Sequence, residues 1–236
     1  MNKALFLLFS SVSVFASLAS SSAFALNTEQ NKSFIATQQT SPKEQQFAKL
    51  MQKAKQDRNY VNVDQNTQQI FSNIRQQAIT LRPEAQHWNW QIHGNKTLGY
   101  GAQGGNNGKV VLGANLYYFN QFNTDEIAFV IAHEVAHSVL QHKPNQSLKR
   151  SESRKTELEA DQLALELMAK AGYTPEAGIS YLGKMQSHYR QRGLKAGGFM
   201  STHPSFEQRI QAIQVAAPKA TQMWYANARI STSEIH

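Results

Sequence analysis

Two histidines and a glutamate between positions 133 and 137 have the residue types and spacing of a metal site. His133, Glu134 and His137 form the pattern H-E-x-x-H. On a helix, residues four apart lie on one face, so the two imidazoles can close on a single metal ion. Glu134 projects from the neighbouring face, where its carboxylate can reach a water that the metal holds. The pattern thus supplies two metal ligands and a general base.

The residues that precede this pattern favour a metal over a chance match. A five-residue pattern also arises by chance, so its surroundings decide how it is interpreted. Residues 127–132 are apolar on all sides, which predicts a buried helix. Buried imidazoles and carboxylates need partners, because leaving polar groups unpaired in the interior is costly. One Zn²⁺ per chain meets that need.

The third ligand has to come from another element, since no histidine follows six residues after His137. Glu157 and Asp161 are four apart on the next predicted helix and share one of its faces. Such a pair could be a solvated helix edge. Catalytic zinc commonly takes three protein ligands and a water, so Glu157 is the preferred third ligand. Asp161, one turn on, could orient His133 through its outer ring nitrogen.

A late segment offers two further candidates for the catalytic machinery. Peptide hydrolysis needs a donor for the developing oxyanion besides the metal. His203 follows a Gly-rich stretch, and Arg209 lies on the helix that comes after it. Spacing alone favours a structural role for each of these two residues.

Hydrophobic periodicity predicts the elements that carry these residues. Helices are expected at about 43–57, 66–81, 123–143, 151–171, from 174 onwards and at 206–215. Asn123 and Glu126 fit a capping box at the start of the helix that carries the pattern. Strands are expected at 87–93, 98–102 and 109–112, with a Gly-Asn turn at 104–108, and the short links favour antiparallel pairing. No clear period follows Pro218.

The start of the chain predicts export. Residues 1–25 have a basic start, an apolar middle and an A-x-A site, which indicates a signal peptide. Residues 26–42 are polar and predict a flexible lead-in, which leaves 43–236 as one domain. The chain has no cysteine, so disulfides are excluded. These features together predict a protein of the bacterial periplasm.

Charge limits the class of partner. The formal net charge is +8, but the basic residues are scattered and lack the aromatic interleaving of a nucleic-acid site. Nucleic acid is therefore not expected as a partner. The charge is compatible with solubility or with peripheral association with an anionic membrane surface. It leaves the oligomeric state open.

Three blocks together resemble the M48 family of zinc metallopeptidases, in its soluble periplasmic form. They read EIAFVIAHEVAH at 126–137, ELEAD at 157–161 and THPSFEQR at 202–209, in the order of that family. The resemblance covers about residues 60–215. It implies His133, His137 and Glu157 as zinc ligands and Glu134 as the base, with Asp161 behind the ligands. It also implies that the late segment lies near the site, where His203 could cap the zinc and hold the enzyme latent.

The expected fold is α+β, a mainly helical zincin-like metallopeptidase domain with a small antiparallel sheet beside the motif helix. The resemblance implies an edge strand that pairs with substrate, but here the segment 95–108 is longer and richer in glycine. The leading interpretation is a zinc endopeptidase acting on misfolded or misassembled envelope proteins. A chaperone or binding protein on a latent peptidase scaffold is the first alternative, and a zinc hydrolase of cell-wall peptides the second.

Overall fold

The helix that carries the H-E-x-x-H pattern lies at the centre of a mainly helical fold. The computed structural model describes residues 59–120, 123–142, 150–193 and 204–233. Its helices are α1 (Gln65–Leu81), α2 (Leu116–Phe119), α3 (Thr124–Val139), α4 (Arg150–Lys170), α5 (Ala177–Gln191) and α6 (Phe206–Ser233). Its strands are β1 (Tyr60–Val61), β2 (Gln91–Asn95), β3 (Ala102–Gly105) and β4 (Lys109–Gly113). The α+β class is as predicted.

Some sequence predictions fall outside these ranges. The expected signal peptide, lead-in and helix at 43–57 lie before residue 59, and His203 lies in the gap before residue 204. All described residues belong to the compact unit Pro42–His236. Within the ranges given above, no helix combines the length and hydrophobicity that crossing a bilayer requires.

The motif helix α3 is buried because it is apolar on every side. Residues 127–132 are each at most 4% exposed, and α3 packs against α1, α4 and α5. Asn123 caps the helix as predicted, with its side-chain oxygen accepting from the Glu126 N–H at 3.1 Å. The second half of the predicted capping box is wrong. The buried Glu126 carboxylate instead accepts from Ser180 (2.5 Å) and Lys184 (2.9 Å) on α5, so it ties two helices together.

The sheet is mixed, so the predicted all-antiparallel arrangement is wrong. The strand order is β1-β2-β4-β3, with β2 and β4 parallel and the outer pairs antiparallel. The β3–β4 hairpin turns at Asn107 and Gly108, which both have positive φ. Its second strand, β4, then inserts beside β2 and runs in the same direction. The short links correctly predicted the hairpin but not which of its strands would meet β2.

Several element boundaries differ from the predicted ones for local reasons. The predicted strand at 87–93 begins only at Gln91, because Pro83–His87 forms a 3₁₀ turn and the Trp90 indole donates to the Ala85 carbonyl at 2.7 Å. The predicted strand at 98–102 lies mostly in a turn that precedes β3. The helix expected from 174 onwards begins at Ala177, with Glu176 in the N-cap position.

The last helix shows the largest difference. It was predicted to end near residue 215, but α6 continues through Pro218 to Ser233. Proline removes one backbone hydrogen bond and normally interrupts a helix. Here Ala217 and Ala220 on either side of it are buried, and the Trp224 indole donates to the Gly172 carbonyl at 3.1 Å. Tertiary contacts therefore hold the helix together across the proline.

Candidate metal centre

The structure brings together the three side chains that the sequence singled out as metal ligands. The two Nε2 atoms of His133 and His137 lie 3.2 Å apart. The Glu157 carboxylate lies 3.4 Å from His133 Nε2 and 3.5 Å from His137 Nε2. One ligand atom from each residue falls within 4.8 Å of the others, and no other such cluster occurs among the described residues.

These separations match the edges of a zinc coordination tetrahedron. With metal–ligand distances of about 2.1 Å, two ligand atoms at tetrahedral angles lie roughly 3.4 Å apart. The observed separations of 3.2, 3.4 and 3.5 Å bracket that value. Two imidazoles and one carboxylate are also a donor set that catalytic zinc uses, with one position left open. The residues present therefore fit Zn²⁺.

Two helices hold this triangle. The histidines lie one turn apart on the last two turns of α3, and Glu157 comes from the middle of α4, which packs along α3. His133 is 8% exposed and Glu157 is 1% exposed. The site is therefore built on two rigid, buried elements, which fixes the relative positions of its ligands.

A buried network of charged side chains lies behind His133. His133 Nδ1 is 2.9 Å from Asp161 Oδ1. The Arg209 guanidinium donates two hydrogen bonds to the same carboxylate, Nε at 2.8 Å and Nη2 at 2.6 Å. Asp161 is fully buried and Arg209 is 5% exposed. Asp161 thus lies between the outer nitrogen of His133 and the guanidinium of Arg209.

These contacts shift the pKa values of the buried side chains. Burial works against a charge on His133, but Asp161 and Glu157 outweigh it and raise the pKa of His133 to about 10. Burial, together with the neighbouring His133, lowers the pKa of His137 to about 3. Burial alone would raise the pKa of Asp161, yet the Arg209 guanidinium holds it below its usual value. The surroundings therefore shift the pKa values of the two histidines in opposite directions.

Glu134 lies against strand β3. It is half-buried on α3, and its Oε2 and backbone oxygen pass so close to Gly104 that a Cβ there would lie 2.8 and 2.9 Å from them. Ser138, one turn along the helix, donates from Oγ to the Gly105 carbonyl at 2.7 Å and accepts from the Gly108 N–H at 3.3 Å. The Gly-rich segment is thus fastened to the helix that carries the ligands.

Sequence reasoning missed one residue of the site, His142. Its Nδ1 lies 3.0 Å from His137 Nδ1, and its Nε2 lies 3.4 Å from Glu159 Oε2. Its side chain is 8% exposed, and burial lowers its pKa. The signal was a third histidine five residues after His137. The sequence predicts a helix that continues to residue 143, and on such a helix a residue five positions after His137 lies on a different face.

Comparisons with known proteins give a set of relatives that are named as metallopeptidases. Proteins named mitochondrial metalloendopeptidase OMA1 are 32% identical in Schizosaccharomyces pombe and 26% in Saccharomyces cerevisiae, over 41% and 50% of this chain. The protein of that name in Arabidopsis thaliana is 30% identical over 46% of this chain. The matches cover 37%, 45% and 28% of those relatives, so the chain spans less than half their length.

These relatives contradict the predicted periplasmic location, because all three are named as mitochondrial. The prediction rested on residues 1–25, which are rich in serine and free of acidic residues. That composition is shared by more than one class of targeting segment, so it does not single out export to a bacterial periplasm.

The family is shown by a match over nearly the whole chain. The model of the family described as Peptidase U49 matches residues 6–227. The prediction of a metalloendopeptidase is confirmed by this match and by the relatives, and the matching family is Peptidase U49, to which the predicted M48 family is related. The chain belongs to the Peptidase U49 family.

Proposed function

We propose that this chain is a zinc endopeptidase with a zincin-like site, related in mechanism to the M48 enzymes. The observation that carries the proposal is the triangle of His133, His137 and Glu157, whose edges of 3.2–3.5 Å fit tetrahedral Zn²⁺. Glu134 lies on the same helix as both histidines and beside the edge strand. Ligands, base and a strand for substrate thus meet in one place.

Zn²⁺ held by these three residues would supply a Lewis acid that acidifies a water and polarises the scissile carbonyl. Glu134 is the general base in this proposal. Its carboxylate takes a proton from the attacking water and later gives it to the leaving amine. The contact with Gly104 keeps the carboxylate beside strand β3, where the reacting peptide bond would lie.

Asp161 and Arg209 act as positioning residues in the same proposal. Asp161 faces the outer nitrogen of His133, which fixes the tautomer that presents Nε2 to the metal. Arg209 uses two donors on Asp161, so we assign it to holding that carboxylate rather than to the oxyanion. A latch role for His203 stays a prediction from the sequence.

An unfolded protein segment is the substrate that the sheet favours. β3 is one of the two edge strands of the described sheet and the one beside Glu134, so an extended peptide can add to it by backbone hydrogen bonds. Segments of folded proteins have these groups already paired, whereas misfolded or misassembled proteins expose them. We therefore propose misfolded proteins as the substrate class.

The test compares the wild-type chain with Glu134→Gln, which keeps the size of the side chain but removes its basicity. Both proteins are loaded with Zn²⁺ and incubated with casein, and metal content is measured alongside cleavage. Wild type should bind one Zn²⁺ and cleave casein. Glu134→Gln should bind the same amount and lose cleavage by about 10²–10⁴-fold.

Three outcomes contradict the proposal. If wild type binds no Zn²⁺, the site is not a zinc centre. If Glu134→Gln cleaves as fast as wild type, the base lies elsewhere. A wild-type chain that binds Zn²⁺, cleaves nothing and suppresses casein aggregation would instead support a chaperone on a latent peptidase scaffold.

A further inference from the structure

We propose that His142 is a positioning residue that sets the metal-binding tautomer of His137. Glu159 is the last of the three side chains in this series. This inference rests on the proposed zinc site. It concerns a residue outside the ligand set and outside the H-E-x-x-H pattern. It is carried by a run of three side chains, Glu159, His142 and His137, that leads from the protein surface to the metal triangle.

The backbone at the end of α3 places His142 beside His137. The Gln141 N–H donates to the Ser138 carbonyl at 3.1 Å, and the His142 N–H donates to the His137 carbonyl at 3.0 Å. Gln141 has a φ of 54°, in the left-handed region. This pair of bonds is a Schellman motif, which folds the chain back over the last turn of a helix. The side chain that follows the turn usually makes an apolar contact there, but here it is an imidazole.

The direction of the hydrogen bond between the two rings follows from the metal triangle. His137 faces that triangle with Nε2, 3.2 Å from His133 Nε2 and 3.5 Å from Glu157. A neutral imidazole that gives one nitrogen to a metal carries its proton on the other. His137 Nδ1 must therefore donate, and His142 Nδ1, 3.0 Å away, must accept.

His142 then has only one arrangement left. With Nδ1 accepting, its own proton is on Nε2, which points at Glu159 Oε2 at 3.4 Å. A carboxylate only accepts hydrogen bonds. His137 therefore donates to His142, and the proton of His142 faces Glu159. The opposite direction would leave the proton of His137 on Nε2, inside the triangle where the metal has to bind.

The two ligand histidines are thus held by different outer partners. His133 faces the Asp161 carboxylate, whose charge Arg209 balances, whereas His137 faces a second imidazole. Both partners fix ring orientation as well as tautomer, which is the usual function of groups behind metal-binding histidines. Loss of the acceptor at position 142 should therefore weaken metal binding itself and not only catalysis.

The experiment measures Zn²⁺ affinity by competition with a chromogenic chelator. His142→Phe keeps a flat ring but has no acceptor, and it should bind Zn²⁺ about 10–100-fold more weakly than wild type. His142→Asn places an amide oxygen at the position of Nδ1, and it should bind close to wild type. The exposed His87 provides a matched control, since His87→Phe should leave the affinity unchanged.

A second readout needs no variant. In the zinc-loaded wild type, nitrogen NMR of the histidine rings should show the proton of His137 on Nδ1. A proton on Nε2, or zinc bound through Nδ1, overturns the proposal even if His142→Phe does not fold. Equal zinc affinities of His142→Phe and wild type also overturn it, as does an equal loss for His142→Asn and His142→Phe.

These results can be told apart from a failure of the proposed function. A wild-type chain that binds no Zn²⁺ overturns both proposals. A wild-type chain that binds Zn²⁺ and cleaves casein, with zinc affinity unchanged in His142→Phe, overturns only the role of His142.

Discussion

Replacing Gly104 by alanine should separate the position of the base from the metal site. A Cβ at this position would lie 2.8 Å from Glu134 Oε2 and 2.9 Å from the Glu134 backbone oxygen. Comfortable contacts begin at about 3.4 Å, so strand β3 or the Glu134 side chain has to move by roughly 0.5 Å. The backbone oxygen belongs to a buried helix and cannot give way, so the shift falls on the strand and on the carboxylate.

The size of the effect follows from that shift. A displacement of 1 Å in a catalytic arrangement can cost about 10²-fold in rate, so half of it should lower kcat/KM by about 10-fold. Crowding of this kind should also lower the free energy of unfolding by about 1–3 kcal/mol. The three atoms nearest to a Cβ at Gly104 all belong to Glu134 rather than to a metal ligand, so the Zn²⁺ affinity of Gly104→Ala should stay near that of wild type.

The assay combines three measurements on the Gly104→Ala protein: casein cleavage, Zn²⁺ affinity and urea unfolding. Gly183→Ala is the matched control. Gly183 lies inside α5, and a Cβ there would meet nothing within 4 Å. That variant should keep full activity and gain up to about 1 kcal/mol from helix propensity. Unchanged kcat/KM in Gly104→Ala would refute the idea that this strand sets the position of Glu134. A loss of zinc affinity would mean that the strand supports the ligands instead.

Two further predictions concern stability and are measured by urea unfolding of the metal-free protein. Arg209→Met leaves the buried Asp161 charge without its guanidinium and should cost about 3–5 kcal/mol, whereas Arg190→Met breaks only an exposed pair with Glu207 and should cost under about 1 kcal/mol. Equal losses in the two variants would contradict the importance given to burial. Gln141→Gly should raise the free energy of unfolding by about 1 kcal/mol, because glycine adopts the left-handed conformation without a Cβ penalty; destabilisation would show that the Gln141 side chain contributes to the turn.

Helical periodicity predicted the two helices whose packing brings the candidate ligands together. The apolar run before His133 predicted a buried α3, and α1 and α4 were predicted to within a residue of their observed ends. Once both helices are placed, Glu157 and Asp161 can reach the histidines only by packing α4 along α3. The hydrophobic pattern of α3 and α4 therefore predicts this part of the site, because the candidate ligands lie on these two long helices.

The features that were missed depend on contacts between distant parts of the chain. The local sequence does not predict that β4 pairs with β2 as well as with β3. This pairing depends on how the hairpin packs on α3. The continuation of α6 through Pro218 depends on its buried neighbours rather than on helix propensity. His142 was missed for a similar reason. Gln141 is an uncommon residue for the left-handed position of a Schellman motif, which is usually glycine, so the sequence gives no sign that the chain turns back there.

The two hydrogen bonds of Ser138 fix strand β3 relative to the helix that carries Glu134. The Ser138 hydroxyl bonds to both ends of the β3–β4 turn. Strand β3, where we propose that a peptide binds, and the helix that carries Glu134 therefore move as a single body. Motions elsewhere in the protein can then change access to the metal centre, but a peptide added to β3, as proposed above, would keep its register relative to Glu134.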